Sequence, residues 1–133
     1  MEDAEVAVIG MGSMMGTIRE VVDELRAEGV KAGMIKLRLY RPFPTEEIVK
    51  AIGKVPVLGI MEKAYSIGGP GAPLYMEVKT ALYDEKNKPL IADYITGLGG
   101  KDTSPEMIRD VFARLQKIKE KGAVTDPVNY IGV

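Results

Sequence analysis

Glu5-Val6-Ala7-Val8-Ile9-Gly10 runs directly into Met11-Gly12-Ser13-Met14-Met15-Gly16-Thr17, and this junction decides the fold. The first stretch is rich in β-branched residues, too short for a helix and closed by glycine, so it reads as a buried strand. Beyond the glycine turn, Ile18, Val21, Val22 and Leu25 recur at i, i+3, i+4 and i+7, which places one apolar stripe on a helix. Gly29 stands where a helix C-cap glycine belongs. Val30–Tyr40 then supplies a second strand, centred on Met34–Leu39.

The same alternation continues outward. Arg41-Pro42-Phe43-Pro44 breaks the chain, because two prolines in three residues cannot continue a central strand. Thr45-Glu46-Glu47 offers a cap and first-turn acids for a short helix over Glu46–Ile52. Val55–Met61 is a third strand, and the loop Gly68–Pro73 delivers Pro73 as the first residue of a helix carrying Leu74, Val78, Ala81 and Leu82 on one face. Leu90–Thr96 is a fourth strand. Before the last helix, Thr103 and Glu106 have capping-box spacing, and Ser104-Pro105 offers a cap one residue later; Ile108, Val111, Phe112, Leu115 and Ile118 then keep helical period to about Lys121. Residues 122–133 read as an extended tail. Strand and helix alternating on this scale give a single α/β domain over 1–133: a three-layer α/β/α, Rossmann-like unit with a mainly parallel sheet. Ligand sites of such sheets lie at the carboxyl ends of strands, here Gly10–Gly16, Arg38–Phe43, Glu62–Pro73 and Gly97–Asp102.

Composition removes whole classes of chemistry. The chain has no Cys and no His, so it offers no disulfide, no thiolate nucleophile, no iron–sulfur ligation and no imidazole base. Ser13 and Ser66 therefore lack the partner that a triad needs. Eighteen Lys and Arg against 19 Asp and Glu leave a formal charge of -1, which gives nucleic acid no attractive field. No apolar run reaches the ~18–20 residues that span a bilayer, and the acidic N-terminus has no signal-peptide order, so a cytoplasmic location is expected.

The glycine turn is the one nucleotide-like feature. Gly10, Gly12, Ser13 and Gly16 follow a strand and open a helix, where backbone N–H groups can hold a pyrophosphate. However, three residues rather than two separate the second and third glycines. Nor does an acid close the second strand; Arg38 and Arg41 stand there instead. Tight strand–helix packing requires the same glycines. Met14 and Met15 read as adaptable packing against another surface, Glu62-Lys63 as an ion pair at the sheet rim, and Asp102 as a residue that orders the loop before the last helix. No catalytic constellation emerges, and none of the scattered carboxylates forms a recognisable metal cluster.

Four segments in order carry a resemblance: Val6–Ser13, Gly29–Pro44, Gly69–Val78 and Tyr94–Asp102, with Arg41-Pro42-Phe43-Pro44 and Gly97-Leu98-Gly99-Gly100-Lys101-Asp102 the most specific. Together they resemble the C-terminal domain of the α subunit of pyruvate:ferredoxin oxidoreductase (pyruvate synthase), a domain related to the C-terminal domain of transketolase. The resemblance implies a parent complex that decarboxylates a 2-oxoacid on thiamine diphosphate with Mg2+. That complex passes electrons through iron–sulfur clusters to ferredoxin and releases the acyl group on coenzyme A. It implies that this domain binds none of these cofactors alone, carries no catalytic residue of the family, and packs against other domains or subunits of the complex. Arg41, Pro42, Phe43 and the loop Gly68, Gly69, Pro70, Gly71 are then the expected interface. Related domains begin with a short antiparallel strand that this chain lacks, so the chain is expected to be a C-terminal fragment of a larger subunit. Two other readings stand beside this one: a nucleotide- or CoA-binding module using Gly10–Gly16, and a stand-alone regulatory domain that binds a partner.

Overall fold

A parallel strand buried on both faces must be covered on both, and the alternation of side chains along each strand shows how this chain does it. The computed structural model describes residues 3–12, 14–38, 43–62, 73–96 and 103–131. They form β1 (Val6–Gly10), α1 (Met14–Ala27), β2 (Ala32–Lys36), α2 (Thr45–Ile52), β3 (Val57–Glu62), α3 (Pro73–Leu82), β4 (Leu90–Ile95), α4 (Pro105–Lys121) and β5 (Val128–Tyr130). The strands make one sheet in the order β2-β1-β3-β4-β5, and every pairing is parallel.

Val6 and Val8 of β1, Val57 and Met61 of β3, and Ala92 and Tyr94 of β4 join a core with α1 and α4. The intervening residues Ala7, Ile9, Leu58 and Ile60 join a second core with α2 and α3. The expected three-layer arrangement is therefore present, with α1 and α4 on one face and α2 and α3 on the other. On the outer surface, Arg109 of α4 reaches both Glu24 of α1 and Glu28 just beyond its end, at 2.9 and 2.6 Å. All three are exposed, so these pairs orient the two helices rather than hold them.

Several expected boundaries move, each for a local reason. The second strand stops at Lys36 because its only partner, β1, ends at Gly10; one further bond, from Leu37 N–H to the Gly10 carbonyl, closes the ladder. Thr45 does not cap α2 but is its first residue. Pro44 occupies the cap position and provides no side-chain bond. Of the two caps available to α4, the structure uses Ser104, whose hydroxyl accepts from Met107 N–H with Pro105 at the first helical position. Met14 and Met15 lie in α1 and are buried in this chain's own core, at 6% and 2% exposure, rather than turned to another surface. The tail is not merely extended: Val128–Tyr130 adds a fifth parallel strand, tied to β4 by Asp93 N–H on the Pro127 carbonyl and Ile131 N–H on the Ile95 carbonyl.

Gly59, in the middle of β3, sets how closely α4 approaches the sheet. A Cβ built there would lie 3.0 and 3.1 Å from the two Cδ atoms of Leu115 and 3.3 Å from the Tyr94 ring. Leu115 is wholly buried, so its methyl groups have little room to yield. Gly59→Ala is expected to lower stability by about 1–3 kcal/mol through overpacking. Adding Leu115→Val should recover part of that loss, and urea unfolding of the two variants and the double variant measures both effects.

Candidate functional site

The order β2-β1-β3-β4-β5 reverses direction at β1 and β3, and the crevice outside the carboxyl ends of those two strands is where sheets of this kind place ligands. Gly10 closes β1 there. Its missing side chain serves close packing, since a Cβ would meet Met15 Sδ at 3.1 Å and the Met61 carbonyl at 3.2 Å. Gly12 takes a φ of +87°, which a glycine adopts without strain, and its carbonyl accepts from Met15 N–H as α1 begins. Gly16 lies within α1, and a Cβ there would meet nothing within 4 Å. In a dinucleotide fingerprint the third glycine permits close helix–strand contact, and Gly16 makes no such contact with the described residues. Met11, between the first two glycines, is an exposed large apolar residue. Ser13 lies outside the described residues, as do Arg41, Pro42, Gly68, Gly69, Pro70, Gly71, Lys63 and Asp102. Phe43 is half-buried and packs against the α2/α3 core.

Glu62, the last residue of β3, is not an exposed rim charge. It is 7% exposed, and its two carboxylate oxygens accept from Leu74 N–H at 2.7 Å and Tyr75 N–H at 2.9 Å. These are donors that the first turn of α3 cannot satisfy within the helix, so Glu62 holds the start of α3 against the end of β3. Beside it lies Asp93 of β4, fully buried. The register pairs Ile60 with Asp93 and Glu62 with Ile95, which puts both acids on the α2/α3 face as diagonal neighbours. Burial raises the Glu62 carboxyl from its ordinary 4.5 to about 8, helped by a hydrogen bond with Asp93 and by the charge of Asp93; the two backbone N–H donors pull the other way. Glu62 therefore keeps its proton at neutral pH, since ionising it beside Asp93 out of water is unfavourable.

Sequence reading placed Glu62 at the right strand end but as a rim charge rather than a buried one, and it passed over Asp93; Lys63 lies outside the described residues. The available signal was an acid inside the apolar run Leu90–Thr96. Thr96 was passed over as well. It is fully buried, and its hydroxyl lies 3.3 Å from that of Thr103, linking the end of β4 to the residue before the α4 cap. Among the described residues no group of three or more Asp, Glu, His or Cys is placed to hold a metal ion, and the chain has no Cys for a cluster. The described residues thus offer no cluster of ligands for Mg2+, and the sequence offers no cysteine for an iron–sulfur group. No helix among the described residues is long and apolar enough to cross a membrane.

The acid pair has a pH signature. Between about pH 5 and 8 folded Glu62 keeps a proton that the unfolded chain has lost, so this group's contribution to stability falls as pH rises toward 8. Glu62→Gln carries no such proton. Its stability relative to the parent chain should therefore improve steadily from pH 5 to pH 8. Parallel pH profiles in urea unfolding would contradict the retained proton.

A family model described as pyruvate:ferredoxin oxidoreductase core domain II matches residues 4–108. The pyruvate synthase subunit PorA of Pyrococcus horikoshii is 42% identical over 132 residues, which are 99% of this chain and 33% of that subunit. The ketoisovalerate oxidoreductase subunit VorA of the same organism is 38% identical over 130 residues, covering 98% of this chain and 33% of its own length. The chain thus spans about a third of the length of these relatives. Among solved structures, a split-gene transketolase in an inactive β4 tetramer superimposes with a TM-score of 0.62 at 22% identity, over 87% of this chain and 39% of that one, which shows a shared fold. This chain belongs to the pyruvate:ferredoxin oxidoreductase core domain II family.

Proposed function

We propose that the chain is the assembly domain of a thiamine-diphosphate-dependent 2-oxoacid:ferredoxin oxidoreductase, with pyruvate as the first substrate to test. The parent complex would convert pyruvate and coenzyme A to acetyl-CoA and CO2, passing the two electrons to ferredoxin. The observation that carries this reading is likeness along nearly the whole chain to one third of the pyruvate synthase and ketoisovalerate oxidoreductase subunits, in a chain without Cys or His. Thiamine diphosphate, Mg2+ and the iron–sulfur clusters would then be held by the other domains and subunits. Ferredoxin would meet the complex rather than this domain.

The carboxyl end of the sheet is the surface offered to those partners. Supporting this are Met11, exposed at the end of β1, and Gly12, beside which a side chain would meet open space. Phe43 lies on the chain segment that follows β2, next to Arg41 and Pro42. Oxidoreductase activity from this chain alone would overturn the proposal. Mixing the chain with the remaining subunits should give a stable complex on size-exclusion chromatography. Arg41→Glu should weaken that association at least tenfold while leaving the unfolding free energy of the domain within about 0.5 kcal/mol of the parent.

A further inference from the structure

Away from that surface, a groove of about 520 Å3 separates the second half of α4 from the β4–β5 edge of the sheet. Its lining runs from Tyr94 of β4 and Asn129 of β5 along α4 from Asp110 to Lys121, and on to residues 123–126. Its floor is Tyr94. The Tyr94 ring is fixed in the α1/α4 core at 1% exposure, yet its hydroxyl lines the groove and makes no hydrogen bond with any described residue. The hydroxyl is the end of the side chain that reaches solvent, so it is free to donate to whatever enters the groove. Burial also keeps it protonated, with its pKa raised to about 12, so the donor persists across neutral pH.

One wall carries Arg114, Lys117 and Lys121, at helical spacing on α4. Arg114 gives its Nε to Asp110 at 2.9 Å, which leaves the two terminal nitrogens of the guanidinium for another acceptor. Lys117 is exposed and makes no ion pair among the described residues. Lys121 Nζ donates to Thr125 Oγ1 at 3.0 Å, which holds it over the opening. Asp110 and Asp126 also line the groove, so three cations face two carboxylates within a chain whose overall charge is -1. Lysines in a last helical turn also offset the helix dipole. The Tyr94 hydroxyl has no such duty, which makes it the diagnostic group.

We propose that this groove binds the phosphoryl group of a small molecule, with the Tyr94 hydroxyl as the donor at its floor and Arg114, Lys117 and Lys121 as counter-charges. A tetrahedral dianion accepts donors converging from several directions, as these do, whereas a planar carboxylate monoanion uses fewer of them. The site shares no residue with the proposed assembly surface, so either reading can fail without the other.

Titration of the chain with inorganic pyrophosphate, followed by calorimetry and by amide shifts in heteronuclear NMR, tests it. Saturable binding is expected, with shifts concentrated in α4 and residues 123–129. Tyr94→Phe, which removes one oxygen and keeps the ring, should weaken binding about tenfold. Lys117→Gln, at an exposed position that leaves the core untouched, should weaken it several-fold and carries the test should Tyr94→Phe fail to fold. Succinate should bind at least tenfold more weakly than pyrophosphate. Absence of saturable binding, undiminished binding by either variant, shifts centred on residues 10–16, or succinate binding as tightly as pyrophosphate would each overturn the assignment.

Discussion

Strands β1 and β3 are buried on both faces, and that constraint governs the rest of the molecule. A two-sided strand needs a helix layer above and below, and consecutive parallel strands need crossovers, so the helices are at once connections and covers. Close helix contact then demands small residues where a helix crosses the sheet. Gly59 under Leu115, and Gly10 against Met15 and Met61, are the places where that demand is visible. Removing either small residue would press on the layer that makes the strand buried in the first place.

Glu62 shows how such a sheet can hold a charge-bearing group at its end. The carboxyl group is out of water but completes the hydrogen bonding of the first turn of α3, which links the end of one strand to the start of the next helix. With Asp93 beside it, full ionisation of both groups is unfavourable and a retained proton makes the arrangement tolerable. The result is a polar junction inside the α2/α3 layer, at the strand end where this fold presents its loops.

Most of the architecture was legible in the sequence because its signals are local. The valine–isoleucine runs, the helical stripe from Ile18 to Leu25, Pro73 at a helix start and Ser104-Pro105 before α4 all depend on neighbours in sequence. What escaped depends on distant partners. The pairing of Glu62 with Asp93 follows from the β3–β4 register, which no spacing rule supplies. β5 has only three residues and a single neighbour, too little for a periodic signal. Met14 and Met15 looked like contact residues because methionine fills cores and covers interfaces equally well, and only the observed burial separates the two. The family was legible from motif order, whereas the groove over Tyr94 was not, since a tyrosine in a strand gives no sign of which group its hydroxyl will reach.

The strand order also decides which edge of the sheet each later strand can join. After β2, every new strand is laid on the same growing side: β3 beside β1, β4 beside β3, β5 beside β4. Each arrival meets an edge that already exists, so no earlier pairing has to open to admit it. β5 closes the series by giving Asp93 N–H its partner at Pro127 and by bringing the Asn129 amide to the Asp93 carbonyl. Without those residues the backbone beside the buried acid would face water, so β5 is the strand that covers that edge of the sheet.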